Sequence, residues 1–223
     1  MMKRLLLFRM RRHMVAYGLK CPNIGSWSFW LEPADMLSHV RDVIFMFDPA
    51  AVKEKCNGML SPSEYGRIYD LAKNAPGESF IEVGAAHGAA TVSLASALRD
   101  SGRVGKVYSF EKITGGSRER FGNFDANKTI IEDNIACFGV GDRIVMNYGL
   151  VEELAPVIPG RKDFGLMMLD ADGKIDRNFS PFFDKLADNA VTIIDDVSPA
   201  VRVRTTHGAL HARRVFVDQK HRL

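Results

Sequence analysis

Five acidic residues stand where a chain can do chemistry. Glu82 lies near the end of the apolar run Phe80–Val83 and precedes Gly84-Ala85-Ala86-His87-Gly88. Glu111 closes a second run, Val107–Phe110; Asp170 follows a third, Phe164–Leu169; Asp195-Asp196 follow a fourth, Val191–Ile194. Gly84 and Gly88 let a backbone turn tightly and approach a ligand with no Cβ in the way. A dinucleotide loop of the form G-x-G-x-x-G starting at Gly84 needs glycine at 86 and 89, and both are alanine. An acid at 82 suits a ligand that carries an ammonium group. S-adenosylmethionine carries one, with a sulfonium charge and no phosphate. Glu111 can accept both hydroxyls of a ribose, a geometry that serves NAD equally. Each acid also has a structural reading: Glu82 as a cap on the following turn, Glu111 as a solvated strand end.

Asp170, Asp195 and Asp196 raise a second question. Carboxylates that converge repel one another unless a cation or protons intervene. Hard oxygen ligands suit Mg²⁺, which keeps waters and accepts substrate oxygens. Asp172 and Asp196 could instead cap helices.

These residues need elements that bring them to one place. From residue 79 onward, short apolar runs alternate with amphipathic stretches. The spacing predicts strands at 79–83, 106–110, 143–148, 164–169 and 191–194. It predicts helices at 89–98, 127–137, 151–154 and 179–186. Nearly continuous apolar strands between helices indicate an α/β fold, a doubly wound and mostly parallel sheet covered on both faces. Ligands of such sheets bind at the carboxyl ends of the strands. Before the sheet, Ser61-Pro62-Ser63-Glu64 is a capping box with proline at the first helical position, opening a helix that ends at Asn74 to Gly77. Residues 1–60 read as an N-terminal helical extension, with a helix start at Pro33, and 61–223 as the ligand-binding domain. Trp27, Phe29 and Trp30 serve as an anchor to the core or as a substrate lid.

The chain has 223 residues, 46% hydrophobic and 26% charged, with a net charge of +3. That is ordinary for a globular protein and too mild to imply nucleic acid. Three widely spaced cysteines read as free thiols in a reducing compartment, so a cytoplasmic protein is expected. Met1–Lys20 is basic, and the first acid is Glu32. This stretch is a basic amphipathic helix or an organellar transit peptide. No segment approaches the length of a membrane span.

Taken together, FIEVGAAHGAATVSLASAL, VYSFE, NYGLVEEL, FGLMMLDADGK and VTIIDDV resemble the class I S-adenosylmethionine-dependent methyltransferases, over roughly residues 60–197. The aspartates resemble those of the metal-dependent O-methyltransferases of the catechol and caffeoyl-CoA type, as does LSPSEYGRIYDLA. The resemblance implies a Rossmann-like methyltransferase fold. It implies that Glu82, Gly84, Ala85 and Gly88 surround the methionine part of the cofactor, and that Glu111 holds its ribose. Gly149, Leu150 and Val151 would lie by the adenine. Asp170, Asp195 and Asp196 would hold the metal, Asp170 also facing the cofactor and the reaction. The family's lysine base stands three residues after its first metal aspartate. Here Gly173 takes that position and Lys174 follows it, which makes Lys174 the candidate base. A small hydroxylated molecule is the implied acceptor.

Metal-independent methyl transfer, NAD-dependent oxidation and non-catalytic cofactor binding are the alternatives. No Tyr-x-x-x-Lys pair supports the second. His87 reads as packed or solvated, and His207/His211 lack an acidic neighbour. The segment from Lys112 to Phe124 is long for a strand–helix loop. After Asp196 too little chain remains for the family's terminal hairpin, so the edge of the sheet is shortened to one strand near Val215–Val217. Either the chain is truncated there, or a partner completes the edge, as a homodimer would.

Overall fold

The computed structural model describes residues 46–112, 124–160, 162–170 and 175–195, with the backbone alone at 214–217. Of the sequence expectations, those for residues 1–45, the 113–123 loop, Asp172, Lys174, Asp196, His207 and His211 lie outside these residues. The chain divides into two compact units, Met1–Met46 and Phe47–Leu223, and the whole sheet belongs to the second.

Two helices lead in: α1 (Pro49–Lys55) and α2 (Pro62–Asn74). The expected capping box is formed. Ser61 Oγ accepts from the Glu64 amide at 3.3 Å, and Glu64 Oε2 accepts from the Ser61 amide at 2.5 Å. Proline at the first helical position loses no bond, because that amide has no partner in a helix anyway. The far end of α2 is held by Arg103, whose guanidinium donates to the carbonyls of Ala72, Lys73 and Ala75.

The alternating part follows as β1 (Ser79–Val83), α3 (Ala89–Asp100), β2 (Val107–Glu111), α4 (Phe124–Cys137), β3 (Ile144–Tyr148), α5 (Val151–Leu154), β4 (Phe164–Leu169), α6 (Ile175–Phe179), β5 (Leu186–Ile194) and β6 (Arg214–Val217). The sheet order is β3-β2-β1-β4-β5-β6, and every pairing is parallel. The strand expected near Val215–Val217 is thus present as β6. Among the described residues, no helix is long and apolar enough to cross a membrane.

One expectation is corrected. Residues 179–186 do not form an α-helix. α6 ends at Phe179, Ser180–Lys185 is a 3-10 helix, and β5 already begins at Leu186. Pro181 has no amide to donate, which breaks the α-helical ladder at that turn.

Strand periodicity of two sorts side chains between two cores. Phe80, Val107, Leu166, Met168, Val191 and Ile193 face α1–α4. Ile81, Val83, Phe110, Met167, Leu169 and Ile194 face α5, α6 and the 3-10 turns. Each large side chain so buried contributes about 1.5–3 kcal/mol. Glycines set how closely the chain can pass the start of β1. A Cβ on Gly165 would occupy the place of the Pro76 carbonyl, and one on Gly105 that of the Glu78 carbonyl.

Gly165→Ala is expected to destabilise the protein by about 1–3 kcal/mol, because backbone must move to admit the methyl. Urea denaturation reads this as a lower midpoint. An unchanged midpoint would show that the Pro76 segment yields freely.

Candidate active site

Parallel pairing continues one residue past each strand and builds the carboxyl edge. The Gly149 amide donates to Glu111 O at 3.0 Å, Gly84 to Phe110 O at 2.9 Å, Asp170 to Val83 O at 2.9 Å, and Asp195 to Leu169 O at 2.9 Å. Gly149, Glu111, Gly84, Asp170 and Asp195 therefore stand in a row on one edge. The sequence read these residues as strand ends, and adjacency in the sheet order turns them into neighbours.

The turn from β1 to α3 is carried by three left-handed residues: Gly84 (φ 98°), Ala86 (φ 50°) and Gly88 (φ 85°). Gly88 is the N-cap of α3 and supplies no side-chain cap. The first amides of that helix, with their partial positive charge, are left to a ligand or water.

Glu82 is fully buried under this loop. Its Oε2 accepts from Thr91 Oγ1 at 2.6 Å and from Ser109 Oγ at 2.5 Å, joining β1, α3 and β2. Its Oε1 is buried without a hydrogen-bond partner. It is not a cap on the turn: both its partners are hydroxyls. Burial pushes its pKa up to about 7, against the pull of the two hydroxyls, and the negative charges of Asp170 and Glu111 add to the rise.

Glu111 is not a solvated strand end. It is buried, and its Oε2 accepts from the Ala86 amide at 2.6 Å. On the other side, Asn134 Nδ2 of α4 donates to the His87 carbonyl at 2.8 Å.

A cavity of about 180 Å³ opens against the loop. One wall is Gly84, Ala85, Ala86 and His87, with Ala89 and Ala90 of α3; Asp170 closes one side. The opposite wall is Asn57, Gly58, Met59, Leu60 and Tyr65. Sequence reasoning missed this wall. In the sequence Tyr65 is one residue of the capped helix with nothing to mark it, and the one local signal was the Asn57-Gly58 turn pair. The turn is fixed from behind: Lys53 Nζ donates to the Gly58 and Leu60 carbonyls, and the Leu60 amide donates to the Tyr65 hydroxyl at 3.2 Å. Burial holds that phenol neutral, its pKa pushed up to about 12. Gly58 has no side chain because the Tyr65 ring stands where a Cβ would be.

Of the expected cofactor residues, Gly84, Ala85 and Asp170 line the cavity. Glu82 and Glu111 lie beneath and behind the loop, and Gly88 starts α3. Gly149, Leu150 and Val151 stand past β3, farther along the edge, with Leu150 exposed and Val151 buried. Of the expected metal residues, Asp170 and Asp195 follow paired β4 and β5. Among the described residues, no group of three His, Cys, Asp or Glu is placed to hold a metal. The third expected ligand, Asp196, and the expected base, Lys174, lie outside them.

The buried carboxyl of Glu82 makes stability depend on pH. Its folded value, about 7, exceeds the ordinary 4.5. Between these values the folded protein holds a proton that the unfolded chain releases. Stability from this group is thus full below about 4.5 and falls as pH rises through about 7, by at most about 3 kcal/mol. Glu82→Gln is expected to remove this loss between pH 5 and pH 8 in urea denaturation. An equal pH slope in both proteins would show that Glu82 titrates normally.

The model of a family described as "Methyltransferase domain" matches residues 81–197. No curated relative matches the sequence. Solved structures share the fold. Cofactor-bound Rv0187 from MTB superposes with a TM-score of 0.53 at 19% identity, covering 74% of this chain and 73% of that one. The O-methyltransferase TomG from Streptomyces achromogenes, involved in tomaymycin synthesis and solved with SAM, gives 0.51 at 17%, covering 70% and 69%. An O-methyltransferase from Bacillus cereus in complex with SAH gives 0.51 at 18%, covering 70% and 69%. With the family model spanning β1 to the end of β5, the chain belongs to the methyltransferase domain family.

Proposed function

We propose that this chain is an S-adenosylmethionine-dependent O-methyltransferase acting on a small hydroxylated acceptor, with Mg²⁺ assisting. One observation carries the reading. Asp170 lines the cavity against the glycine loop and also stands beside Asp195 at the end of the neighbouring strand. A methyl donor in the cavity and an acceptor at the aspartates would meet at that residue. SAM and SAH in the neighbours TomG and the Bacillus cereus enzyme point the same way.

The residues present fit the cofactor. The charge of Asp170, which lines the cavity, suits an ammonium group, with the Glu82 carboxyl buried beneath the loop behind it, and the uncapped amides of α3 suit a carboxylate. The cavity is smaller than the roughly 300–1,000 Å³ of whole-ligand sites, so it suits the methionine end alone. Glu111 then serves the ribose, and Gly149, Leu150 and Val151 the adenine. Bound there, the cofactor supplies an electrophilic methyl group on sulfonium.

The donor set also fits a hard cation. Asp170, Asp195 and Asp196 would hold Mg²⁺, which lowers the pKa of a bound hydroxyl. Lys174 is the proposed base that takes the acceptor's proton. The protein's own contribution is positioning: two reactants held at one strand edge gain up to about 7–11 kcal/mol over reactants free in solution.

Titration of S-adenosylhomocysteine into the purified protein, with Mg²⁺ and then with EDTA, tests the reading. Micromolar binding is expected, and its absence in both buffers overturns the cofactor assignment. Glu111→Ala is expected to weaken that binding by about 1–3 kcal/mol; unchanged affinity would remove Glu111 from the site. Asp195→Asn is expected to lower Mg²⁺ affinity of the S-adenosylhomocysteine-loaded protein at least tenfold while leaving the melting temperature in place. Equal Mg²⁺ affinity, or methyl transfer that survives EDTA, would overturn the metal.

A further inference from the structure

The glycine loop contains a residue that does not suit its conformation. Ala86 sits at φ 50°, in the left-handed region. There the Cβ crowds the following carbonyl, at about 1–2 kcal/mol for an L-residue. Gly84 and Gly88, which share the region, escape that cost. A strained residue persists only where its surroundings hold it, and such residues concentrate at ligand sites.

Two side chains hold this one. The Ala86 amide donates to Glu111 Oε2 at 2.6 Å, and the next carbonyl, that of His87, accepts from Asn134 Nδ2 at 2.8 Å. The bonds reach 25 and 47 residues along the chain, so neither is part of the local turn. They come from two different elements, β2 and α4. They use opposite chemistry: a carboxylate takes the N–H, and an amide N–H₂ gives to the C=O. The face of α4 that carries Asn134 packs along the loop, because Ile131 and Ile135 lie 3.7 and 3.9 Å from where a Gly88 Cβ would be. The loop also closes on itself, Gly88 donating to the Ala85 carbonyl at 2.7 Å.

We propose that Glu111 and Asn134 form a two-point clamp that keeps the loop in its ligand-ready shape before any cofactor arrives, making Asn134 a positioning residue for cofactor binding. The proposal rests on the reading that this loop receives S-adenosylmethionine. Without the clamp, Ala86 relaxes to negative φ, and the cofactor must restore the strained form at the expense of its own affinity. Glu111 thereby acts twice, on the loop through its Oε2 contact and on the ribose. Asn134 bonds to the loop and has no assigned role at the ribose, so it separates the two effects.

The test is calorimetric titration of S-adenosylhomocysteine into four proteins: wild type, Asn134→Ala, Ala86→Gly and the double variant. Asn134→Ala is expected to bind about five- to thirty-fold more weakly, the equivalent of the left-handed cost of one residue. Ala86→Gly in that background is expected to recover most of the loss, because glycine adopts the conformation without a clamp. The same change in the wild-type background gives the reference from which that recovery is read, so any effect of Ala86→Gly on the cavity wall itself is divided out. An Asn134 with only a role in stability would lower the melting temperature, and Ala86→Gly would not restore the affinity. Equal affinity in wild type and Asn134→Ala, or a loss that Ala86→Gly leaves in place, overturns the clamp. No binding by the wild type overturns the cofactor reading instead. A second measurement needs no variant: the Ala86 amide in cofactor-free protein is expected to exchange with solvent slowly, as a bonded amide does. Fast exchange there would overturn the clamp even if Asn134→Ala does not fold.

Discussion

Burial of β1 on both faces is the constraint from which the site follows. The strand lies between β2 and β4, and Phe80, Ile81 and Val83 are each committed to one of two cores. Glu82 is the exception that this constraint makes expensive. A carboxyl at zero exposure must find donors or a proton. Ser109 and Thr91 supply the donors, and in doing so lock β2 and α3 to the central strand. The same hydroxyls leave one oxygen without a partner beneath the glycine loop. The least favourable residue of the sheet is thus also the one that ties β1, β2 and α3 together under the loop.

The carboxyl edge collects charge for a geometric reason. In a parallel sheet every strand ends on the same side, so acids at strand ends become neighbours whatever their distance in sequence. Sequence position says nothing about order along that edge, which the strand order β3-β2-β1-β4-β5 provides. The row from Gly149 to Asp195 runs through Glu111, Gly84 and Asp170. The glycine loop therefore sits between Glu111 on one side and Asp170 and Asp195 on the other.

What could be read from the chain divides along the same line. The strands, α2 with its capping box, and Glu82-x-Gly84-x-x-x-Gly88 were legible because each is a local pattern of period two, period 3.6 or fixed spacing. The 3-10 turn at Ser180–Lys185 was not, because the apolar spacing of Phe179, Phe182 and Phe183 imitates a helix while Pro181 interrupts it. Asn134 gave no signal beyond a place on a helix face, since its partner is a backbone carbonyl 47 residues away. Nor did Tyr65, whose meaning depends on Gly58 and Leu60 folding back over it. Spacing reveals elements; contacts made across them have no spacing to reveal.

The turn at Asn57–Leu60 draws a boundary different from the architectural one. By secondary structure, the repeating α/β pattern could be taken to start at Ser61, where α2 is capped. Yet the wall facing the glycine loop belongs to the segment before it, and that wall is anchored by Lys53 on α1. A chain begun at Ser61 would lose that wall and, with it, Val52, Cys56 and Leu60 of the core that covers the sheet. The segment before Ser61 therefore belongs both to the core that covers the sheet and to the wall of the cavity.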